Sequence, residues 1–246
     1  MKTIVYAHRG ASKQAPENTM PAFDLAYQIG ADGIETDVQL TKDQVPVLIH
    51  DETVNRTTDG VGFIEDYTYN ELQTLDAGSW FSLYYRDTKI PTLEDLLAWN
   101  QDKHLLLNIE LKTNVIHYED IEQIVWEKVK RYDMINQTVF SSFLDESLVK
   151  LRDINQDISY AFLTGRKRKD LCRYGKHLGA KGLHIKYRLL NQQLVEEAKK
   201  HQLYVAVYTV NHPMAIRKVI NHRCHALFSD TPDIAIHVRN QIQREE

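Results

Sequence analysis

Cysteine is scarce in this chain of 246 residues, which contains only Cys172 and Cys224, far apart in the sequence. This excludes a framework of disulfides, and the absence of a Cys-x-x-Cys spacing argues against a thiolate metal site. Unpaired cysteines are typical of proteins that work in reducing compartments. The composition therefore favours a cytoplasmic location.

Long hydrophobic runs are also missing. No segment approaches the roughly 20 apolar residues that span a bilayer. The apolar run at the N-terminus, Ile4 to Ala7, is too short for a signal peptide. We therefore expect no stable insertion into a membrane.

The chain also lacks an excess of positive charge. The chain has 30 basic and 34 acidic residues and a net charge of −4. A protein that wraps a nucleic-acid backbone usually shows a basic surface. Nucleic acid is therefore not expected as a substrate or partner.

Short β-branched or aromatic runs alternate with amphipathic stretches along the whole chain. This alternation is typical of repeated βα units around a parallel sheet. Eight such units predict a single parallel (β/α)8 TIM barrel, formed by residues 1–246 as one domain. The predicted strands are Thr3–Ala7, Gly33–Leu40, Leu105–Leu111, Thr138–Ser142, Ile158–Leu163, Gly182–Lys186, Tyr204–Val210 and Ala226–Ser229.

Capping signals and apolar spacing predict the intervening helices. The first helix begins near Thr19, a candidate N-cap followed by Pro21, and ends at Gly30. Further helices are indicated by apolar spacing at Leu93–Leu97, Ile121–Val129, Leu194–Ala198 and Ile216–Ile220.

The segment 46–91 is too long for an ordinary barrel loop and is interpreted as an insertion after the second strand. Pro46–Ile49 reads as an extra strand. We expect the aromatic residues of the segment to form a small satellite core, and Trp80 or Phe81 to wall the active site. The aromatic residues that we expect to contribute are Tyr67, Tyr69, Trp80, Phe81, Tyr84 and Tyr85.

Polar side chains collect toward the C-terminal ends of three predicted strands. Glu35 and Asp37 alternate on one face of the second strand, as do Asn108, Glu110 and Lys112 on the third. His8 and Arg9 follow the first strand. Active sites of parallel barrels form at this end of the strands, so these groups are expected at one mouth.

Three carboxylates at one mouth repel one another and raise their own pKa values unless a cation lies among them. Glu35, Asp37 and Glu110 therefore predict a site for a divalent metal ion. Oxygen ligands without thiolates favour Mg²⁺ or Ca²⁺, with Mn²⁺ also possible. The alternative is that Glu35 or Asp37 only forms an ion pair with an arginine on the surface.

His8 and His50 are candidates for proton transfer, because imidazole titrates near neutral pH and both follow predicted strands. The alternative is that each histidine is structural. Arg9 and Lys112 supply the positive charge that a phosphoryl oxygen needs. Their alternative role is an ion pair with the same carboxylates.

Two further clusters carry weaker signals. His222, Cys224 and His225 match no common zinc spacing and are interpreted as a surface loop. The basic run Arg166–Lys169 follows the fifth predicted strand, on the active face, where it could steer anionic substrates or simply be solvated.

Together these residues resemble the glycerophosphodiester phosphodiesterase family. The resemblance is carried by His8-Arg9-Gly10, Pro16-Glu17-Asn18-Thr19, Glu35-x-Asp37, His50-Asp51 and Glu110-x-Lys112. It continues through Arg56-Thr57-Thr58, Gly60, Ile90-Pro91-Thr92-Leu93, Ser141-Ser142-Phe143, Tyr208-Thr209-Val210-Asn211 and Ser229-Asp230-Thr231-Pro232, and so covers nearly the whole chain.

The resemblance implies hydrolysis of a small-molecule glycerophosphodiester to sn-glycerol 3-phosphate and an alcohol. It implies Glu35, Asp37 and Glu110 as metal ligands, His8 and His50 as the acid–base pair, and Arg9 and Lys112 at the phosphate. Tyr208 stands where the family commonly has tryptophan, and its ring is expected to contact the glycerol or head group. The nucleophile, water or the substrate's own 2-hydroxyl, is left open.

Two alternatives to this function stay open. One is an enzyme like phospholipase C or D acting on phospholipid or lysophospholipid. The other is a barrel that binds phosphodiesters without catalysis. Retention of both histidines and all three carboxylates argues against a pure binding protein, which needs no proton-transfer groups.

Overall fold

The computed structural model describes residues 2–243. Its strands are β1 (Ile4–His8), β2 (Gly33–Leu40), β3 (Pro46–Leu48), β4 (Leu106–Leu111), β5 (Thr138–Ser142), β6 (Tyr160–Thr164), β7 (Gly182–Lys186), β8 (Tyr204–Tyr208) and β9 (Ala226–Ser229). Its helices are α1 (Met20–Ile29), α2 (Tyr69–Leu72), α3 (Leu93–Asn100), α4 (Ile121–Arg131), α5 (Asp145–Ile154), α6 (Leu171–His177), α7 (Gln192–Lys200), α8 (Pro213–Asn221) and α9 (Pro232–Ile242).

The strands close into a barrel. Neighbours follow the order β1, β9, β8, β7, β6, β5, β4, β2, and parallel pairing of β1 with β2 completes the ring. The short strand β3 pairs antiparallel with the end of β2, outside the ring. The predicted (β/α)8 barrel is confirmed.

Alternation along the strands separates a helix-facing layer from the barrel interior. Val5 and Ala7 of β1 and Ile34 of β2 belong to the large apolar cluster that packs under the helices. At the bottom of the interior, Tyr6 stacks on Phe228 with ring centroids 5.2 Å apart. Apolar side chains thus fill the lower barrel, and polar ones are left for the upper mouth.

Four strands, β2, β5, β7 and β9, have the predicted bounds. Two predicted bounds were wrong. The strand predicted to begin at Ile158 is β6, which begins at Tyr160, and the strand predicted to end at Val210 is β8, which ends at Tyr208. Ile158 and Val210 are fully or almost fully buried residues of connecting segments. Their apolar character reflects burial and not strand geometry.

The helix ends explain two of the sequence motifs. Thr92 caps α3 in a reciprocal capping box with Asp95. Thr19 occupies the N-cap position of α1, but its hydroxyl donates to the carbonyl of Pro16 at 2.5 Å and does not cap the helix. The first helix therefore depends on Pro21 in its first turn and on Gly30, in a left-handed conformation, at its end.

The insertion has a core of its own, as predicted, but of the six aromatic residues expected to contribute only Tyr67 and Tyr69 pack against it. The buried members are aliphatic: Val47, Ile49, Val54, Ile64, Leu72, Ala77 and Ile90. Tyr67 and Tyr69 only flank this cluster. Phe81 packs edge to face on both Trp80 and Tyr85, outside this cluster.

Cys172 and Cys224 are both buried and unpaired. Within residues 2–243 no helix is both long enough and apolar enough to cross a membrane. That the barrel and the insertion form one domain stays a prediction.

Candidate active site

The three carboxylates converge at the mouth of the barrel. Asp37 of β2 lies directly opposite Glu110 of β4 in the strand pairing, and Glu35 is two residues earlier on the same face of β2. One oxygen from each of the three lies within 4.8 Å of the others. All three side chains are buried.

The electrostatics of this acidic cluster are those of a cation site. Burial, together with Asp37 and Glu110, raises the pKa of Glu35 to about 8, although His8 partly opposes the shift. Burial also raises the pKa of Glu110. The Oδ1 atom of Asp37 is buried and has no hydrogen-bond partner. Its nearest cationic partner is Lys112 Nζ, 3.9 Å away. A buried carboxylate oxygen that accepts no hydrogen bond, among crowded carboxylates, fits a divalent ion bound by oxygen ligands.

Arg9 and Lys112 lie beside the cluster. Lys112 Nζ is 3.1 Å from Oε1 of Glu110, and Arg9 Nε is 3.2 Å from Oδ2 of Asp37. These two cations outweigh the effect of burial on Asp37 and hold the pKa of that carboxyl well below its usual range. The ion pairs considered from the sequence are therefore present. Two cations nevertheless do not neutralise three carboxylates, and Arg9 is also shared with Glu17 at 2.8 Å.

The His8-Arg9-Gly10 motif makes the turn that places these groups. Arg9 and Gly10 both have positive φ, 57° and 81°. A Cβ atom on Gly10 would lie 2.7 Å from the backbone of Ala22, so only glycine fits against α1 here. The turn lets the backbone NH of Arg9 donate to Oε2 of Glu35 at 3.1 Å.

Asn18 orients one of the carboxylates, a role that sequence reasoning missed. Its side-chain amide donates to Oδ2 of Asp37 at 2.9 Å and accepts a hydrogen bond from Thr36 at 2.8 Å. Asn18 was visible only as part of the Pro-Glu-Asn-Thr motif. Its position in the fold explains why an amide stands there.

His8 is held by a residue from the far end of the chain. Its Nδ1 lies 2.6 Å from Oδ1 of Asp230, and Nε2 lies 3.9 Å from Oε2 of Glu35. Asn211 donates to the other oxygen of Asp230 at 2.7 Å. Burial lowers the pKa of His8, but Glu35 and Asp230 outweigh it and leave the pKa above its ordinary value.

His50 has a matching arrangement. Its Nδ1 lies 2.6 Å from Oδ1 of Asp51. Arg56 donates to Asp51 at 2.7 Å and, through two nitrogens, to Glu17 at 2.8 Å each. Hydrogen bonds from Arg56 lower the pKa of Asp51 to about 2. This network of hydrogen bonds joins the insertion to the loop after β1. In the sequence, Glu17, Asp51 and Arg56 were recognised only as members of family motifs, without a contact assigned to them.

A cavity of about 270 Å³, here called the main cavity, opens over these groups. His8, Arg9, His50 and Tyr208 all line it, together with Glu35 and Glu110. Trp80 and Phe81 are not among the lining residues, so the expectation that they wall the site was wrong for this cavity. Aromatic walls come instead from the barrel itself, where Phe143 packs edge to face on Tyr208 at 6.2 Å.

The structure separates the two weaker clusters of the sequence, the one around His222 and the basic run. Within residues 2–243, Glu35, Asp37 and Glu110 are the one group of three ligand side chains that converge. Cys224 is buried, His225 packs on Tyr204, and His222 contacts the carbonyl of Lys218, so these residues form no metal site. The basic run at 166–168 lines a second cavity at the mouth.

The fold and this site define the class of barrel enzymes that act on phosphodiesters, and comparison with known proteins agrees. The chain matches the glycerophosphoryl diester phosphodiesterase family over residues 8–234. A glycerophosphodiester phosphodiesterase of Caldanaerobacter subterraneus is 37% identical over 238 residues, which cover 97% of this chain and 98% of that protein. One of Bacillus altitudinis is 36% identical over 244 residues, covering 98% and 100%.

Among solved structures, an Oleispira antarctica phosphodiesterase in complex with the product sn-glycerol-3-phosphate superposes with a TM-score of 0.88 and 33% identity, covering 96% of each chain. The present chain belongs to the glycerophosphoryl diester phosphodiesterase family, and it is an enzyme of that class.

Proposed function

We propose that this enzyme hydrolyses small glycerophosphodiesters to sn-glycerol 3-phosphate and an alcohol by metal-dependent acid–base catalysis. One observation carries the proposal: His8 and His50 each have Nδ1 at 2.6 Å from a carboxylate, and both rings line the main cavity beside the acidic cluster. A protein that only binds phosphodiesters has no use for two such pairs. The product-bound relative from Oleispira antarctica supports the substrate class.

Glu35, Asp37 and Glu110 would hold the metal ion, and their oxygen ligands favour Mg²⁺ or Ca²⁺, with Mn²⁺ as a further candidate. When bound, such an ion supplies Lewis-acid polarisation of a phosphoryl oxygen. Oδ1 of Asp37 is buried and accepts no hydrogen bond, which supports a ligand role for that side chain.

The two histidines divide the proton transfers. An oxygen nucleophile attacks phosphorus and loses its proton to one imidazole. If the nucleophile is water, the product is sn-glycerol 3-phosphate directly; if it is the substrate's own 2-hydroxyl, a cyclic phosphate forms first and a water molecule must then open it to sn-glycerol 3-phosphate. The bond from phosphorus to the leaving alcohol oxygen breaks, and the other imidazole protonates that oxygen. Asp230 and Asp51 occupy Nδ1 of the two rings, so Nε2 is the nitrogen left to act in each.

Arg9, Lys112 and Tyr208 complete the substrate site. Arg9 and Lys112 would balance the negative charge that accumulates on the phosphoryl oxygens. Their pairing with Asp37 and Glu110 holds both cations at the mouth before substrate arrives. Tyr208 ends β8 and lines the main cavity, where its ring would contact the glycerol or head group.

The test is release of sn-glycerol 3-phosphate from glycerophosphocholine, glycerophosphoethanolamine and glycerophosphoglycerol, before and after chelation. We expect turnover that chelator abolishes and that Mg²⁺, Ca²⁺ or Mn²⁺ restores. Turnover unaffected by thorough chelation would overturn the metal mechanism. Absence of sn-glycerol 3-phosphate among the products of every diester would overturn the proposed reaction.

A further inference from the structure

A second cavity, of about 720 Å³, adjoins the main cavity. The two cavities share four lining residues: Phe143, Leu163, Lys186 and Tyr208. Gly165 lies at this boundary, where a Cβ atom would be in ordinary contact with the Tyr208 hydroxyl at 3.4 Å and with Cδ of Lys186 at 3.7 Å. The shared lining places the two cavities side by side, so a substrate at the acidic cluster that is long enough to pass Tyr208 would reach the second cavity.

Five cationic side chains line this second cavity, which is called the basic cavity below: Arg166, Lys167, Arg168, Lys186 and Arg188. They come from the loop after β6 and from the end of β7 with the turn that follows it. Among the described lining residues Asp145 is the one carboxylate, and it already accepts a hydrogen bond from the Tyr174 hydroxyl. The cavity therefore has a strong excess of positive charge.

Most of this charge has no acidic partner. Arg168 pairs with Asp170 at 2.9 Å and lies over the ring of Tyr174. Arg188 donates to the carbonyl of Gly165 at 2.7 Å, which ties the two loops together but neutralises nothing. Within residues 2–243 the remaining cations, Arg166, Lys167 and Lys186, form no salt bridge. Clustered cations of this kind raise the local concentration of anions and repel cations.

We propose that the basic cavity binds a second phosphate group of the substrate, carried by one of the two alcohols that the scissile phosphate joins. The inference rests on the proposed function and narrows its substrate class. Arginine and lysine at the cavity suit a phosphate, which arginine can bind through two parallel hydrogen bonds. A cationic head group such as choline meets like charge at the same place.

The test compares glycerophosphoglycerol with its phosphomonoester, two substrates that differ only in the second phosphate. We expect kcat/KM of the wild-type enzyme to be about tenfold higher for the phosphomonoester, the size of one charge-assisted contact. The difference should lie mainly in KM, because the contact is remote from the reacting atoms. Arg166→Ala and Lys167→Ala should lower kcat/KM for the phosphomonoester more than for glycerophosphoglycerol.

Lys169→Ala is the matched control, because Lys169 belongs to the same basic run but does not line the basic cavity. It should leave the preference between the two substrates unchanged. An equal loss of preference in Lys169→Ala and Arg166→Ala would overturn direct binding in the cavity.

Failure of this inference is distinguishable from failure of the proposed function. Equal kcat/KM for both substrates, with chelator-sensitive release of sn-glycerol 3-phosphate intact, would overturn the inference alone. Absence of chelator-sensitive turnover of either substrate would overturn both.

Discussion

Nδ1 of His8 lies 2.6 Å from Oδ1 of Asp230, although the two residues are 222 positions apart in the chain. Pairing of β1 with β9 brings them together, because Ala7 lies opposite Ser229 in that register. Closure of the barrel therefore completes the surroundings of the first histidine. For His50 the corresponding carboxylate, Asp51, is simply the next residue.

Asp230→Asn tests this contact. An amide cannot hold the imidazole tautomer or stabilise imidazolium as a carboxylate does, so we expect kcat to fall at least about tenfold, part of the 10²- to 10⁴-fold that acid–base catalysis supplies. The fold should survive, because asparagine keeps the shape. The control is Asp233→Asn, an exposed acid of α9. Wild-type kcat in Asp230→Asn would exclude a role for this contact in catalysis.

Removal of a carboxylate from the acidic cluster should separate metal binding from folding. We expect divalent metal to raise the Tm of chelator-treated wild-type protein. At a metal concentration one hundred times Kd, binding should add about 2.7 kcal/mol to the free energy of unfolding. Glu35→Gln and Glu110→Gln should lose this shift. They should not lose stability in chelator, because each removes one of three crowded charges.

Thermal denaturation with and without metal measures both effects. Glu122→Gln is the control, since Glu122 is also buried but belongs to α4. A metal-induced shift that is equal in all four proteins would mean that the cluster is not the site.

Sequence reasoning predicted the barrel well because its signals are local. β2 and β7 each combine a strand-forming run with flanking turn residues, and their bounds agree with prediction. Buried residues of connecting segments, such as Ile158, are as apolar as strand residues although they lie outside any strand, and this is why the predicted bounds failed there. In the insertion, spacing could not show which of several aromatic residues face inward, and aliphatic residues form its core.

Sequence reasoning could predict those residues of the candidate site that lie on the same face of a strand. Glu35 and Asp37 follow from the two-residue period of β2, and Glu110 follows from the next strand of the ring. Asp230 and Asn18 could not be assigned contacts, because their partners are set by closure of the barrel and by the turn at Gly10. The basic cavity likewise depends on two loops, whose meeting no spacing in the sequence reveals.

Burial of His184 should make the free energy of unfolding depend on pH. It is 2% exposed, its Nδ1 has no hydrogen-bond partner, and burial lowers its pKa to about 3. In the unfolded chain the same imidazole titrates near its ordinary value of 6.5. Between these two values the unfolded state binds a proton that the native state does not, so stability falls as pH drops from 6.5 toward 3.

The slope from this one group is at most about 1.4 kcal/mol per pH unit. We expect the free energy of unfolding of His184→Asn to depend less steeply on pH than that of the wild-type protein between about pH 4 and 6.5. Chemical denaturation at several pH values measures it. His237→Asn, at an exposed position of α9, should keep the wild-type slope. A slope unchanged in His184→Asn would show that this imidazole does not stay neutral in the native state.

His8 and His50 should each carry out one of the two proton transfers. A general acid matters most when the leaving alkoxide is strongly basic, and each transfer contributes about 10²- to 10⁴-fold. Both alanine variants should therefore turn over glycerophosphoglycerol poorly. On a p-nitrophenyl diester, whose leaving group departs without protonation, one variant should recover much of the wild-type rate and the other should not. The variant that recovers lacks the acid, and the one that stays slow lacks the base. Metal content must be measured in both, because His8 lies 3.9 Å from Glu35. Recovery of both variants or of neither, at full metal content, would contradict a division of roles between the two rings. Wild-type rates of both on glycerophosphoglycerol would remove the acid–base pair altogether.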